Sequence, residues 1–265
     1  MSAARGAGAA VGVQAAQGTG AWPQQLIARP IAHRGLHDLG RGIVENTASA
    51  VDAAIAGNYG IEVDLQASHD GEAMVHHDDA LGRLTEGSGS LAAMSAAELQ
   101  RIAFRATSDR MMTLPELLER VAGRVALVLE LKSRFDGDVR LVARVAHVLT
   151  SYAGPVAAMS FDPRIVAGLR QIAPRLPRGI VAERRLAEPG VPLTAWRGRA
   201  LAHLLHAPMT RPDFVAYRVD DLPAPATRLA RVLGRPVLTW TVRTPEQRAR
   251  AQAFADQMIF EGFRA

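Results

Sequence analysis

Cysteine is absent from this chain of 265 residues, and lysine occurs only once, at Lys132. Without cysteine there is no disulfide framework, no thiol nucleophile and no thiolate metal site, so any metal must be bound through oxygen or imidazole ligands. Aromatic residues make up only 5% of the chain, whereas hydrophobic residues make up 48%. The sequence therefore predicts a sizeable core that is built mainly from Ala, Val, Leu and Ile.

Long apolar runs and runs of basic residues are also missing. No apolar segment reaches the roughly 18 residues that a membrane-spanning helix needs. The 31 basic and 26 acidic residues are scattered along the chain, which disfavours a nucleic-acid surface. The Ala- and Gly-rich residues 1–25 lack the sustained apolar segment of a signal peptide. We therefore expect a mobile tail over residues 1–25, a cytoplasmic location, no stable membrane insertion and no nucleic-acid partner.

Eight short β-rich segments alternate with helical segments after residue 25. The predicted strands are Leu26–Arg34, Gly60–Gln66, Arg124–Lys132, Pro155–Ser160, Arg178–Glu183, Asp213–Val219, Pro236–Val242 and Gln257–Gly262. Their continuous apolar character is typical of strands that are covered on both faces of a parallel sheet. The pattern predicts an α/β fold, a (β/α)8 TIM barrel over residues 26–265. A doubly wound open sheet is the alternative, but no Gly-x-Gly-x-x-Gly turn follows the first strand.

Helix starts are marked by capping residues. Asp162 and Thr244 are predicted N-caps, and each precedes a proline at the first helical position. Asn46 or Thr47 is the predicted N-cap of the helix that follows the first strand. These signals place helices directly after predicted strands, as a barrel requires.

The second strand–helix unit carries an insertion. Asp70-Gly71 is a hairpin-turn signal, and the segment EAMVHHDD that follows it predicts a short return strand. A polar stretch over residues 80–110 then contains one short helix. We predict a small insertion over about residues 67–112, after strand 2. It would lie at the C-terminal end of a barrel strand, which is the face where such barrels carry their active sites.

The segment Gly60–Asp79 holds six carboxylates and three histidines but no lysine or arginine. Glu62 and Asp64 are two positions apart on a predicted strand, so their side chains point to the same face. Carboxylates inside a barrel are costly without positive charge, and a divalent cation with oxygen ligands would supply it. Glu130, at the end of the next predicted strand, would bring a third carboxylate to the same ion. A half-exposed edge strand with a polar face is the alternative.

Basic side chains stand at the ends of the predicted strands around these carboxylates. His33 and Arg34 end the first strand, and this pair suits phosphate chemistry because arginine binds the anion and histidine moves a proton. Lys132 ends the third strand, where a compact ammonium group is not interchangeable with arginine. His77 ends the return strand, and Asp78 is expected to orient it. A surface lysine and structurally satisfied histidines are the alternatives.

A set of motifs in order resembles the glycerophosphodiester phosphodiesterase family between about Ile31 and Pro163. The motifs are AHRG, ENT, IEVDLQASHDGEAMVHHDD, LGRLT, TLPELLE, LELK and SFDP. The resemblance implies a (β/α)8 barrel and a divalent cation, Ca²⁺ or Mg²⁺. Its implied site comprises an acid–base pair, His33 and His77, the metal ligands Glu62, Asp64 and Glu130, and the phosphate- or substrate-binding residues Arg34, Lys132 and Glu45.

The implied activity is metal-dependent hydrolysis of a small glycerophosphodiester to sn-glycerol 3-phosphate and an alcohol, with histidine acid–base catalysis. Two alternatives remain open: lysophospholipase D-type release of a head group from lysophospholipids, and a non-catalytic barrel that binds phosphate. The chain departs from the family pattern at Val44, where proline is common. It departs again in MIFEGFRA, Met258–Ala265, where the family often has an apolar strand closing on Thr-Asp. The contribution of the last strand is therefore the least defined part of the predicted site.

Overall fold

The computed structural model describes residues 24–185 and 194–265. Its strands are β1 (Ile31–Ala32), β2 (Gly60–Ala67), β3 (Ala73–Val75), β4 (Leu127–Leu131), β5 (Val156–Ser160), β6 (Arg178–Ala182), β7 (Phe214–Arg218), β8 (Val237–Val242) and β9 (Gln257–Phe260). All except β3 pair in parallel, in the order β1-β2-β4-β5-β6-β7-β8-β9, and β9 pairs again with β1. The sheet is closed, which confirms the barrel and excludes the open sheet.

One or more helices separate each pair of consecutive parallel strands. The helices are α1 (Gln24–Ile27), α2 (Ala48–Ala56), α3 (Ala96–Leu99), α4 (Leu114–Val121), α5 (Arg140–Leu149), α6 (Pro163–Ile172), α7 (Ala195–Ala202), α8 (Ala207–Thr210), α9 (Pro225–Val232) and α10 (Pro245–Phe254). The predicted caps Asp162 and Thr244 accept hydrogen bonds from the backbone N–H groups of Arg164 and Gln247. Across the described ranges, no helix combines the length and the apolar character needed to cross a membrane.

The alternation of side chains along the strands divides the core into an outer and an inner layer. On β2, the outward-facing residues Ile61, Val63 and Leu65 pack in one buried cluster with apolar residues of α2 and α4. A separate cluster fills the barrel interior and includes Phe214 of β7. Gly179 on the neighbouring strand β6 makes room for this ring, because a Cβ atom there would lie 2.3 Å from it.

The first strand is shorter than the predicted Leu26–Arg34. Only Ile31–Ala32 forms β1, and Gln24–Ile27 forms the helical turn α1. Leu26 is buried and packs with the cluster that fills the barrel interior. Tertiary packing buries Leu26. The apolar sequence around this residue therefore has the same pattern as a strand. Of the predicted tail over residues 1–25, residues 1–23 lie outside the described part of the chain.

The segment between β2 and α4 has a small core of its own. The predicted return strand is present as β3, which pairs antiparallel with the end of β2. The turn between them contains Gly71, whose φ of 82° is in the left-handed region that glycine tolerates best. A buried apolar cluster then joins β3 to the rest of the segment and includes Met74, Leu91, Leu99 and Phe104. This packing holds the residues after β3 against the C-terminal face of the barrel.

Candidate active site

A cavity of about 320 Å³ opens at the C-terminal ends of the barrel strands. Six of the predicted site residues line it, namely His33, Arg34, Glu62, His77, Glu130 and Lys132. The two remaining ones lie directly behind this wall. Asp64 is buried in contact with Arg34 and Lys132, and Glu45 forms an ion pair with Arg34. The fold therefore brings all of the predicted site residues together.

Three carboxylates lie at the floor of the cavity, with Glu62 and Glu130 on its lining and Asp64 directly behind it. Glu62, Asp64 and Glu130 each offer an oxygen atom, and these atoms all lie within 4.8 Å of one another. The register of β2 and β4 explains this, since Asp64 stands opposite Glu130 in the parallel pair. Glu62 and Asp64 are each 1% exposed, so the half-exposed edge strand is excluded. Such burial demands positive charge nearby.

Two cations from neighbouring strand ends supply part of that charge. Lys132 Nζ lies 2.8 Å from Asp64 Oδ1 and also donates to Glu130. Arg34 Nε lies 3.2 Å from Asp64 Oδ2. Both oxygens of Asp64 are thus engaged by the protein. Glu62 Oε1, by contrast, is buried without a hydrogen-bond partner.

The two carboxyl groups of β2 differ in acidity as a result. Burial would raise the pKa of Asp64, but the charges of Lys132 and Arg34 hold it well below its usual range. Burial raises the pKa of Glu62 well above its usual range, and the charges of Asp64 and Glu130 raise it further. A further cation beside Glu62 would therefore favour the ionised form of this carboxyl group.

Asn46 orients Asp64 rather than capping a helix. α2 begins at Ala48 with Thr47 as its N-cap residue, and the Thr47 hydroxyl donates to the carbonyl oxygen of Val44. Asn46 has a positive φ of 58°. Its Nδ2 donates to Asp64 Oδ2 at 2.9 Å, and its Oδ1 accepts from the Asp64 backbone N–H at 3.3 Å. The amide thus fixes the carboxylate from two sides.

A tight turn after β1 aims Arg34 into the site. Arg34 has a φ of 56° and Gly35 a φ of 79°. A Cβ atom at Gly35 would lie 2.8 Å from the backbone carbon of Ala50, so only glycine fits there. In this turn the Arg34 backbone N–H donates to Glu62 Oε2 at 3.0 Å, and its Nη1 donates to Glu45 Oε1 at 2.7 Å. The HRG motif thus forms the turn after β1 and also supplies charge to the site.

His77 is held by a chain of charged groups. Its Nδ1 lies 2.8 Å from Asp78 Oδ1, which bears out the expected orienting contact. Arg83 donates to Asp78 Oδ2 at 2.6 Å and to Glu45 Oε1 at 2.7 Å. Arg83 therefore links the loop after β3 to the Glu45–Arg34 pair. Sequence reasoning did not single out Arg83, although it lies in the LGRLT motif.

His33 is held by Glu261, which sequence reasoning also missed. His33 Nδ1 lies 2.7 Å from Glu261 Oε2, and its Nε2 lies 3.9 Å from Glu62 Oε2. Burial lowers the pKa of His33, and the hydrogen bond with Glu261 opposes that shift. Burial would raise the pKa of Glu261, but hydrogen bonds that include those from His33 and Arg243 hold it well below its usual range. The signal in the sequence is the position of this acid, near the end of the last predicted strand, Gln257–Gly262.

His37 lies beside the same carboxylate. His37 Nε2 is 3.9 Å from Glu261 Oε2. With His33, these residues form the second group of side chains in the described ranges that could hold a metal ion. Arg243 already donates to both oxygens of Glu261, at 3.2 Å and 3.1 Å. This arginine supplies the positive charge that the carboxylate requires.

Part of the cavity lining is apolar. It is built from Met159, Phe161, Trp240 and Ile259. The Phe161 and Trp240 rings meet edge to face with their centroids 5.4 Å apart. Further charged residues on the lining are Glu183, Arg218, Asp220 and Arg243. The cavity thus suits a molecule with one anionic group and one organic substituent.

The match to a family model spans this whole site. Residues 33–262 match the model of the Glycerophosphoryl diester phosphodiesterase family. The chain belongs to the glycerophosphoryl diester phosphodiesterase family. The match begins at His33 and includes Glu261, so the resemblance of the motifs as far as Pro163 is confirmed and extends to the last barrel strand.

Two relatives in this family align with part of the chain. The YhdW protein of Bacillus subtilis (strain 168), provisionally named a glycerophosphodiester phosphodiesterase, is 31% identical over 162 residues. That alignment covers 57% of this chain and 64% of YhdW, slightly less than two thirds of the relative. The glycerophosphodiester phosphodiesterase of Caldanaerobacter subterraneus subsp. tengcongensis is 28% identical over 169 residues, which is 60% of this chain and 68% of that protein.

A solved structure has the same barrel fold as this chain. It is an Oleispira antarctica phosphodiesterase in complex with the product sn-glycerol-3-phosphate. The two chains superpose with a TM-score of 0.72 at 21% identity, over 89% of this chain and 94% of the other. At this identity the likeness establishes the fold.

Proposed function

We propose that this chain is a metal-dependent glycerophosphodiester phosphodiesterase that releases sn-glycerol 3-phosphate and an alcohol. The observation that carries the proposal is the cluster of Glu62, Asp64 and Glu130 at a cavity that His33 and His77 also line. Membership of the family and the names of the two aligned relatives support the choice of substrate. The reaction would belong to glycerol and lipid metabolism.

The donor set fits a divalent cation. Glu62, Asp64 and Glu130 offer only oxygen atoms, which Ca²⁺ and Mg²⁺ prefer. Glu62 Oε1 is buried without a partner, as expected of a ligand atom that is free to bind an ion. These carboxylates would hold the cation. When bound, the cation supplies neutralisation of phosphate oxygens and activation of a bound hydroxyl group.

The charges of the site favour an anionic substrate once the cation is present. A divalent cation held by Glu62, Asp64 and Glu130 would add two positive charges to those of Arg34 and Lys132. This positive charge would attract a phosphodiester monoanion. Arg34 and Lys132 both line the cavity. They would hold the phosphate oxygens and stabilise the charge that grows in the transition state.

The two histidines supply acid–base catalysis. One accepts the proton of the attacking hydroxyl group as the new P–O bond forms, and the other donates a proton to the alcohol as the old P–O bond breaks. His33 and His77 both line the cavity, and each has its Nδ1 held by a carboxylate, so each has its Nε2 available. Glu45 accepts a hydrogen bond from Arg34 and so fixes its guanidinium group at the same cavity.

One assay tests the proposal. The purified chain is incubated with glycerophosphocholine in Mg²⁺, in Ca²⁺ or in EDTA, and glycerol 3-phosphate is measured. We expect product with a divalent cation and none in EDTA. His33→Ala and His77→Ala should each lower kcat by roughly 10²–10⁴-fold, whereas the exposed His69→Ala serves as the matched control and should leave kcat unchanged.

Parallel substrates separate the rival functions. A lysophospholipid as the only substrate hydrolysed would favour lysophospholipase D-type activity. Saturable phosphate binding without any turnover of glycerophosphodiesters would favour the non-catalytic barrel. Either result would overturn the proposal. The cytoplasmic location stays a prediction from the sequence.

A further inference from the structure

Glu261 and His33 meet across the seam that closes the barrel. Glu261 follows β9 directly, and His33 follows β1, which pairs in parallel with β9. The His33 backbone N–H donates to the carbonyl oxygen of Phe260 at 2.9 Å. The carboxylate of Glu261 therefore reaches the imidazole ring from the adjacent strand end, and the backbone of both residues is fixed by the sheet.

Arg243 fixes the carboxylate from its other side. Arg243 follows β8, and its Nε and Nη2 donate to the two oxygens of Glu261 at 3.2 Å and 3.1 Å. The Arg243 backbone N–H donates to Gln247 Oε1 at 2.8 Å, which ties the arginine to α10. Two-point guanidinium–carboxylate contacts restrict orientation as well as distance. Glu261 is thus held in one position between a cation and an imidazole.

An ionised carboxylate can only accept hydrogen bonds. The contact of 2.7 Å between His33 Nδ1 and Glu261 Oε2 therefore requires the hydrogen to be on Nδ1. The other ring nitrogen, Nε2, points toward the cavity floor, where it lies 3.9 Å from Glu62 Oε2. The hydrogen-bond partner of one imidazole nitrogen determines whether the other nitrogen carries a hydrogen.

We propose that Glu261 is a positioning residue that fixes His33 as the Nδ1–H tautomer and presents its Nε2 to the substrate. This inference rests on the proposed phosphodiesterase function. A proton from a reacting oxygen would be taken up at Nε2, or a proton on Nε2 would be delivered to a leaving oxygen. In both directions Nδ1 keeps its hydrogen and Glu261 stays a carboxylate that stabilises the imidazolium form.

A direct test combines kinetics with the tautomeric state of His33. Glu261→Gln keeps the size of the side chain but removes its charge. We expect kcat to fall roughly 10²–10³-fold with KM within about threefold of wild type. Glu261→Asp restores the carboxylate and should recover at least part of the loss. Glu86→Gln removes a carboxylate from an exposed ion pair with Arg105 and is the matched control.

Long-range ¹H–¹⁵N spectra of ¹⁵N-histidine protein report the tautomer, with His33 assigned by its loss in His33→Gln. The wild type should carry its hydrogen on Nδ1, and Glu261→Gln should show a mixture of tautomers. Unchanged kcat in Glu261→Gln, or a wild-type His33 with hydrogen on Nε2 alone, would overturn the inference. Failure of the proposed phosphodiesterase function would be recognised separately, because the wild type itself would then show no turnover. Thermal unfolding of each variant shows whether it folds.

Discussion

Lys132 Nζ lies 2.8 Å from Asp64 Oδ1, and the same ammonium group also donates to Glu130. The single lysine of the chain thus neutralises part of the acid-rich segment Gly60–Asp79, which has no basic residue of its own apart from histidine. The positive charge comes from the neighbouring strand β4. A compact ammonium group can serve two carboxylates where the planar fork of arginine imposes its own geometry.

Lys132→Met should destabilise the cation-free protein. Removal of one partner from a buried ion-pair network leaves uncompensated charge, and we expect the free energy of unfolding in EDTA to fall by about 3–5 kcal/mol. Added Mg²⁺ or Ca²⁺ should reduce this loss in the free energy of unfolding, because the cation supplies positive charge to the same carboxylates. Urea unfolding with and without the cation measures both effects. A deficit that the cation does not change would contradict a shared role for Lys132 and the ion.

Arg83→Gln should affect turnover more than stability. Arg83 joins Asp78, the partner of His77, to Glu45, the partner of Arg34. Its side chain is 47% exposed, so the free energy of unfolding should change by less than about 1 kcal/mol. We expect kcat to fall about tenfold because both positioned groups loosen.

The control for Arg83 lies in the same segment. Arg105 is 49% exposed and pairs with Glu86 instead of site residues. Arg105→Gln should leave kcat unchanged while it causes a similarly small change in stability. Equal kcat values for the two variants and the wild type would show that Arg83 is only a surface ion pair.

His206 should make the protein less stable in mild acid. Burial lowers the pKa of His206 to about 4, whereas an unfolded histidine titrates near 6.5. The unfolded chain therefore binds this proton at a higher pH than the folded one. The free energy of unfolding should fall between about pH 6.5 and pH 4, by at most about 3 kcal/mol, and level off below that range.

Urea unfolding across this pH range is the measurement. His206→Asn should reduce the slope of the free energy of unfolding against pH, because the titrating group is gone. A polar side chain remains near Thr210, the partner of His206 in the structure. The exposed neighbour His203 offers a control, and His203→Asn should keep the wild-type slope. An unchanged slope in His206→Asn would assign the acid sensitivity to other groups.

Gly179→Ala should destabilise the barrel. The added Cβ atom would lie 2.3 Å from the Phe214 ring, and such overpacking costs about 1–3 kcal/mol. Phe214→Leu in the same chain should recover part of the loss by removing the ring. Gly198→Ala is the control, since a Cβ there meets no atom within 4 Å. Because Gly198 lies in α7, this substitution should raise the free energy of unfolding by about 0.4–1 kcal/mol.

The fold was predictable because each strand and helix carries its own local signal. Apolar runs of strand length alternate with capped helices, and Asp162 and Thr244 cap the helices as expected. Glu62 and Asp64 could be placed on one face because strand geometry has a period of two. Glu130 followed from its position at the next strand end. These inferences need only local sequence and the topology of a barrel.

Other features depended on contacts that no local pattern encodes. The sequence around Leu26 predicts a strand, because an apolar residue gives the same signal whether it pairs in a sheet or packs beneath one. Asn46 resembles a helix cap in sequence, but in the structure it binds Asp64. Glu261 binds His33 across the seam that closes the barrel, and Arg83 binds Glu45 of an earlier strand–helix unit, so neither contact has a local sequence signal.

The pairing of β1 with β9 has a consequence for biosynthesis. His33 and its partner Glu261 are 228 positions apart in the chain. Contacts of such separation form late, because the loop between them must first be ordered. A nascent chain whose β9 has not yet paired with β1 has no Glu261 carboxylate beside His33. Catalytic competence would therefore arrive with the last strand.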